Sequence, residues 1–152
     1  MTPDTTFAAL HGAAKAACGA RLFTVTVLDR AAGVARRAYS SHPDEYPVTG
    51  TKPMTDTPWT EQVIQRGEPF VANETKVFSP YFADHALINA LGCEAAMNIP
   101  VSDGVRVVGT INILDAEGHF TPARVATLTA LVETHRAALL TAFAAVPMED
   151  TQ

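Results

Sequence analysis

Cysteine is scarce in this sequence, and neither of the two cysteines belongs to a metal-binding or redox motif. Only Cys18 and Cys93 occur among 152 residues, and neither stands in a Cys-x-x-Cys or Cys/His spacing. Structural zinc sites and thioredoxin-type redox centres depend on such spacings. The sequence therefore predicts no metal site of these kinds, and a reducing cytoplasm is the expected compartment.

Long apolar runs and an excess of positive charge are also missing. No stretch approaches the roughly 18–20 apolar residues that a membrane-spanning helix needs. The first four residues lack the basic segment and the apolar core of a signal peptide. The formal net charge is −5, whereas non-specific binding to nucleic acid or to an anionic membrane requires a positive face. We expect a cytoplasmic protein whose partners include neither nucleic acid nor a membrane.

The composition that is present is that of a globular domain. Hydrophobic residues make up 47% of the chain, which is ordinary for a soluble fold, and 152 residues suit one domain. We expect a single domain over residues 1–147, followed by a disordered tail over 148–152.

The hydrophobic periodicity and the turn residues predict alternating helices and short strands. Because every connection between strands can be antiparallel, the pattern predicts an α+β fold with one antiparallel sheet. The terminal helices would cover one face, and the irregular middle segments would cover the other. The predicted elements are a helix over 4–17, strands over 21–29 and 34–39, a loop over 40–56, a short helix over 57–67, a strand over 68–72, a short helix over 84–91, a hairpin over 93–114 and a last helix over 121–143.

The hairpin has a register that its turn should fix. With residues 102–104 as a three-residue loop and Gly104 in the left-handed conformation, Val101 pairs with Val105 and Asn98 lies opposite Val108. A slip by one residue would invert the faces of both strands. In this register the odd-numbered face is apolar and should pack under the terminal helices, and the even-numbered face presents Asn98, Thr110 and Asn112.

Four short motifs around this hairpin resemble the GAF domain, a small-ligand sensor module related to the PAS domain. The resemblance implies a GAF/PAS-like sheet whose face away from the terminal helices lines a ligand pocket. The motifs are Ile99-Pro100-Val101, Ser102-Asp103-Gly104, Val108-Gly109-Thr110-Ile111 and Phe120-Thr121-Pro122.

Polar residues on the even face and aromatic residues in the loops are the candidate ligand-binding residues. Pockets for small molecules are mostly apolar with a few convergent polar groups. The alternative is structural: buried amides can hold the covering loops down, and the aromatic residues can form a satellite core beneath them. The candidates are Tyr39, Trp59, Phe78, Tyr81, Phe82, His85, Asn98, Thr110 and Asn112.

Comparison with known GAF subclasses reduces the number of ligand and activity classes to consider. The cyclic-nucleotide signature, Asn-Lys…Phe-x-x-x-Asp-Glu, is broken because Phe78 is followed four positions later by Phe82. The bilin type needs a thiol beside a histidine, whereas Cys93 precedes Glu94. The free methionine-(R)-sulfoxide reductase type needs a resolving pair of cysteines at the pocket, and only Cys93 is near it.

The resemblance implies a sensory or regulatory domain that signals through a partner protein or through its own oligomeric state. No catalytic residue and no cofactor can be assigned. The helix starts at Pro58 and Asp84 favour a small polar or anionic ligand, and the wide apolar arc of the last helix favours a homodimer through helix one and that helix. Two alternatives stay open, namely a GAF enzyme of the sulfoxide reductase type and a protein-interaction module with an empty pocket.

Overall fold

A computed structural model describes residues 2–48 and 51–147 of the chain. The predicted tail over 148–152 and Gly50 of the predicted loop lie outside the described residues. None of the described helices combines the length and the hydropathy that crossing a membrane requires. The elements are α1 (Pro3–Cys18), β1 (Leu22–Asp29), β2 (Val34–Ser40), β3 (Thr51–Pro53), α2 (Pro58–Thr60) with a π-helical turn (Glu61–Gln65), β4 (Phe70–Ala72), α3 (Thr75–Phe78), α4 (His85–Ala90), β5 (Ala95–Ser102), β6 (Val107–Asp115), α5 (Pro122–Thr134) and α6 (Arg136–Ala145).

The described strands form one six-stranded sheet in the order β3-β2-β1-β6-β5-β4. Every described pairing is antiparallel. The first and last strands of the domain therefore meet in the middle of the sheet, where β1 pairs with β6. The predicted α+β class is confirmed.

Three elements differ from the sequence-based prediction. Strand β3 lies inside the stretch predicted as a loop, and the short helix α3 was not predicted. The last helix is interrupted at His135, whose backbone departs from helical geometry (φ −95°, ψ 5°). The Nδ1 atom of the His135 ring is 2.8 Å from the carbonyl oxygen of Leu131. Short edge strands and helices of one turn have too few residues to show a clear period.

The register of the β5–β6 hairpin was also predicted wrongly. Asn98 lies opposite Asn112, not Val108, because the connection is longer than three residues. The Asp103 Oδ1 accepts the backbone N–H groups of Val105 and Arg106 at 2.8 and 3.0 Å, which stabilises this wider turn. The offset is an even number of residues, so the side chains from Gly109 to Leu114 stay on their predicted faces. Val107 does not, because the register shift between Val101 and Ser102 places it in the core of the opposite face.

The sheet separates two hydrophobic cores. The core beneath α1, α5 and α6 takes the odd-numbered residues of the central strands, such as Phe23, Val25 and Ile111. The core on the other face takes even-numbered residues such as Leu22 and Leu114 together with the segments between β3 and β5. This is the predicted division of covering elements between the two faces.

The apolar arc of the last helix is covered within one chain. Helix α1 packs against both α5 and α6. The uncovered arc that motivated the homodimer is therefore absent from the described residues, and the homodimer stays a prediction. Each residue of the arc is buried or half-buried: Val125, Leu128, Leu131, Val132, Leu139, Leu140 and Phe143.

Candidate functional site

A cavity of about 300 Å³ lies between the even face of the sheet and the segments that cover it. Its floor comes from β1, β5 and β6, one side comes from β2 and β3, and its roof comes from α2 and the segment before α4. This volume is at the lower end of the range for small-molecule sites. The lining includes Thr24, Thr26, Arg37, Tyr46, Lys52, Trp59, Tyr81, Phe82, Asp84, Asn98, Thr110 and Asn112.

The floor is a network of amides and hydroxyls centred on Asn112. Its Oδ1 accepts hydrogen bonds from the Asn98 amide at 2.8 Å and from the Thr110 hydroxyl at 3.0 Å. Its Nδ2 donates to the hydroxyl oxygens of Thr24 and Thr26 at 3.1 and 2.9 Å. Within the described part of the chain no buried side-chain polar atom lacks a partner. The floor is therefore polar without carrying an unpaired group, which would cost about 1–3 kcal/mol.

Trp59 joins the roof to this floor. The indole Nε1 donates to Asn98 Oδ1 at 2.9 Å, and the ring meets Phe82 edge to face with centroids 6.4 Å apart. Helix α2 holds Trp59 in place because Thr57 caps it, its hydroxyl accepting the Thr60 N–H at 3.1 Å. Asn98 therefore has the structural role of holding a covering segment, through its bond to Trp59.

A charged group lines one side of the cavity. Arg37 lies 3.7 Å from the Asp84 carboxylate, and its guanidinium stacks 3.7 Å above the centre of the Tyr46 ring. Burial, followed by the hydrogen bond to Asp84, raises the pKa of the Tyr46 phenol above its usual range. The Tyr46 phenol therefore remains protonated beside the Arg37–Asp84 pair.

Lys52 is the second cation of the cavity. Its Nζ donates to the Tyr81 carbonyl oxygen at 2.6 Å and lies 6.0 and 5.5 Å from the ring centres of Trp59 and Phe82. Desolvation lowers the pKa of this ammonium, and the charge of Asp84 partly opposes that shift. The lysine bonds β3 to the segment before α4 across the cavity.

Six of the nine predicted site residues line the cavity, and three do not. Phe78 is fully buried in the core beneath the cavity. His85 is turned to the protein backbone, with its Nδ1 2.8 Å from the Phe82 carbonyl oxygen. Those that line the cavity are Trp59, Tyr81, Phe82, Asn98, Thr110 and Asn112.

Tyr39 lies on the opposite face of the sheet, and this placement corrects the prediction. The β1–β2 ladder pairs Thr26 with Arg37 but Val25 with Tyr39, so one residue of β2 is extra. A bulge of this kind reverses which face the following side chains occupy. Tyr39 therefore packs among Phe7, His11 and Phe23 under the terminal helices.

Sequence reasoning missed the charged side of the cavity. Neither Arg37, in a predicted strand, nor Tyr46, in a predicted covering loop, was named as a candidate, and Lys52 lies on the unpredicted strand β3. Thr24 and Thr26 were not named as candidates either. The even-odd alternation of β1 was the one signal that could have added those two threonines.

Neither cysteine lines the cavity. Cys93 is fully buried, and this burial, together with the charge of Asp115, raises the pKa of its thiol to about 11. Cys18 ends α1 and packs against the core on the other face of the sheet. The described residues also contain no cluster of three or more His, Cys, Asp or Glu side chains that could hold a metal ion.

This arrangement of sheet, terminal helices and covered cavity defines the GAF class of α+β domains. A family model for the GAF domain matches residues 1–139, and the chain belongs to the GAF domain family. A comparison with curated protein sequences gives no significant match.

Solved structures support the same fold at low sequence identity. The GAF domain/HD domain protein from Geobacter sulfurreducens has a TM-score of 0.73 at 13% identity, covering 92% of this chain and 93% of that one. The GAF domain of a two-component sensor histidine kinase from Bacillus halodurans has a TM-score of 0.70 at 12% identity, covering 90% and 92%. The second GAF domain of DevS from Mycobacterium smegmatis has a TM-score of 0.66 at 18% identity, covering 93% and 96%.

Proposed function

We propose that this GAF domain binds a small polar or anionic molecule in the cavity and acts as a sensory or regulatory module. The observation that supports the proposal is the lining of the cavity, where a hydrogen-bonded polar floor faces aromatic rings and two cations. A cavity kept only by imperfect packing is typically lined by apolar atoms. Output would pass through a partner protein or through the oligomeric state of the domain.

The basis for an anionic ligand differs from the one that the sequence suggested. Helices α2 and α4 have only three and six residues, so neither offers the aligned peptide dipoles of a longer helix. The positive charge comes instead from Arg37 and Lys52, which reach the cavity from the β2–β3 edge of the sheet. The two cations face one carboxylate, Asp84, so this side of the cavity has an excess of positive charge.

Two observations argue against the sulfoxide reductase alternative. Thiol recycling needs an attacking thiolate and a resolving thiol close together. Cys93 is buried with a raised thiol pKa, and Cys18 packs on the opposite side of the sheet. The protein-interaction alternative keeps the same fold, and only a binding measurement separates it from a ligand sensor.

A thermal-stability screen tests the proposal. A ligand at about 100 times its dissociation constant stabilises the native state by roughly 2.7 kcal/mol, which raises the unfolding midpoint by several degrees for a domain of this size. The panel contains neutral, cationic and anionic metabolites. The expected result is a shift for at least one polar or anionic compound in the wild type.

A cavity-filling variant, Thr26→Phe, provides the control for the site. Thr26 is half-buried and lines the cavity, so a larger side chain occupies the volume that a ligand needs. The variant should retain the wild-type circular dichroism spectrum and lose the ligand-induced shift. A panel in which no compound shifts the wild-type midpoint would favour the interaction module with an empty pocket.

The homodimer through α1 and the last two helices stays a prediction and has its own test. Light scattering across a dilution series, with and without any compound that the screen identifies, reports the mass directly. A dimer mass that depends on the compound would make oligomeric state the output. A monomer mass at every micromolar concentration would rule the homodimer out.

A further inference from the structure

We infer that the ligand is a small organic acid whose anionic group binds Lys52 and whose other end accepts hydrogen bonds from the hydroxyls of Thr24 and Thr26. This inference rests on the proposed function, because it specifies the chemical class that the same cavity takes. It also assigns different residues to the two ends of the ligand.

Lys52 has hydrogen-bonding capacity that the protein does not use. An ammonium group has three donors, and the described residues supply one acceptor, the Tyr81 carbonyl oxygen at 2.6 Å. No carboxylate among the described residues forms an ion pair with this lysine. The faces of the Trp59 and Phe82 rings provide further weak stabilisation of the cation. An anionic oxygen beside Lys52 would supply a full counter-charge.

Asp84 does not fill that role, because it is engaged elsewhere. Its carboxylate pairs with Arg37 at 3.7 Å and lies beside the Tyr46 phenol, whose pKa it helps to raise. Arg37 also donates to the Pro47 carbonyl oxygen at 2.6 Å and stacks on the Tyr46 ring. The ionisable groups on this side of the cavity are thus an occupied Arg–Asp–Tyr set and a lysine without a charged partner.

The other end of the ligand faces hydroxyl donors. Thr24 and Thr26 each use their oxygen to accept from Asn112. In no hydrogen bond of the described chain does either hydroxyl donate to an acceptor. A hydroxyl can donate while it accepts, so both are available to an oxygen of a ligand. Such an oxygen belongs to a carbonyl, a hydroxyl or a second carboxyl group.

The position of the two ends sets the size of the ligand. Lys52 on β3 is level with Leu28 of β1 across β2, so at the usual strand spacing and rise per residue its backbone is roughly 12 Å from that of Thr26 and roughly 17 Å from that of Thr24. The lysine side chain spans part of each distance. A cavity of about 300 Å³ holds ~10 water-sized groups at about 30 Å³ each. Compact acids fit these limits and long acyl chains do not.

Matched acid and amide pairs test the inference. The probes are lactate with lactamide, succinate with succinamide, benzoate with benzamide and nicotinate with nicotinamide, together with the cationic butane-1,4-diamine. Trp59 is the only tryptophan of the chain and lines the cavity, so its fluorescence reports binding at this site. The thermal midpoint is the second readout.

Three lysine variants separate a specific contact from general electrostatics. Lys52→Met removes the charge and keeps the apolar stem, Lys52→Arg keeps the charge, and Lys76→Met removes an exposed charge that lies outside the cavity lining. At least one acid should bind wild type and Lys76→Met equally, bind Lys52→Arg within a few-fold, and lose at least about tenfold in affinity in Lys52→Met. Its amide should bind at least about tenfold more weakly to the wild type.

The outcomes that overturn the inference are distinct from those that overturn the proposed function. An acid that binds Lys52→Met as well as it binds wild type, or an amide that matches its acid, overturns the inference alone. So does a wild-type protein that binds only neutral or cationic compounds of the wider screen. Absence of binding by every compound overturns both. If Lys52→Met does not fold, the acid-to-amide ratio in wild type and Lys52→Arg decides.

Discussion

The two faces of the central sheet are built from the same strands and are filled in different ways. The face under α1, α5 and α6 is apolar along β1 and β6, with Phe23, Val25 and Ile111 each fully buried. The other face buries Thr24, Asn98 and Asn112, which form a hydrogen-bonded network with one another. Both faces therefore bury side chains of the central strands, but one buries apolar groups and the other also buries polar groups.

This contrast explains why the cavity lies on the polar face. Apolar side chains on two facing surfaces can interdigitate to native packing density. A floor of short amides and hydroxyls satisfies its hydrogen bonds laterally, within the sheet, and does not extend upward to meet the roof. Among the described residues of the roof, Trp59 alone has a side chain that bonds to the floor, through Asn98. The remaining volume is polar below and aromatic above.

The largest expected effect is on the helix-covered face. Phe23→Ala removes a ring that is fully buried and stacked on His11 with centroids 4.9 Å apart, so the free energy of unfolding should fall by ~3–5 kcal/mol. Phe82→Ala, on the cavity side, removes a half-buried ring beside existing empty volume and should cost ~1–2 kcal/mol. Urea unfolding followed by circular dichroism measures both values.

A milder variant, Phe23→Leu, keeps the comparison measurable if Phe23→Ala does not fold. Phe23→Leu should lose less than Phe23→Ala but should still unfold at a lower urea concentration than wild type. Equal losses for Phe23→Ala and Phe82→Ala would mean that the two faces are packed alike, contrary to the contrast drawn above.

The second prediction concerns the polar floor. Asn112→Ala deletes the centre of the network and leaves the Asn98 amide and the Thr110 hydroxyl without their acceptor. We expect a loss of about 1–3 kcal/mol in the free energy of unfolding, with a change in Trp59 emission because Asn98 is released. Asn89→Ala, which removes an exposed amide, is the matched control and should cost less. An unchanged Asn112→Ala protein would show that water replaces the network fully.

The third prediction uses the His11–Tyr39 pair of the helix-covered face. His11 Nδ1 lies 3.2 Å from the Tyr39 hydroxyl, and burial, followed by the nearby charges of Lys15 and His42, lowers the pKa of this imidazole below its usual 6.5. Between the folded-state pKa and 6.5 the unfolded chain binds more protons. Stability should therefore be complete above pH 6.5 and should decline as the pH falls below that value.

Urea midpoints for wild type and His11→Asn at about pH 5 and about pH 7.5 test this sign. The variant should show a smaller decline on acidification than wild type, because its side chain does not bind a proton. A variant whose decline equals or exceeds that of wild type would contradict the assignment to His11.

The smallest effect is expected for the thiols, which lie on opposite sides of the sheet. Cys18 is half-buried and Cys93 is buried with a thiol pKa of about 11, so iodoacetamide should modify Cys18 first and Cys93 only after unfolding. Intact-protein mass spectrometry in buffer and in urea distinguishes the two. Cys18→Ser should unfold within about 0.5 kcal/mol of wild type and should stay unmodified when native. Rapid alkylation of Cys93 in the native protein would contradict its burial and would support the sulfoxide reductase alternative.

Much of the fold could be predicted from local patterns. The period-two alternation of β1 predicts Phe23 and Val25 on one face and Thr24 on the other, and the structure confirms that division. The Thr57-Pro58 pair predicts a helix cap at Thr57, and the Thr57 hydroxyl accepts the Thr60 N–H. These signals are local because side-chain direction in a strand has a period of two and a cap acts within one turn.

The candidate site was predicted in part, and its errors have identifiable causes. Asn98, Thr110 and Asn112 were placed in the cavity lining because an even register error preserves the face. Tyr39 was counted among the loop aromatics, but it lies within β2, beyond a bulge that turns its side chain to the helix-covered face. Bulges depend on how two strands pair, and a single strand does not reveal them.

By itself, the sequence determined the family motifs, the order of most elements and which face of each central strand is polar. Only the tertiary structure decided that Lys52, on a three-residue edge strand, and Arg37, beyond a bulge from Tyr39, reach the same cavity as Trp59. The physical reason is separation along the chain. Periodicity is set by neighbours within a few residues, whereas the charge balance of a cavity depends on segments that pairing and packing bring together.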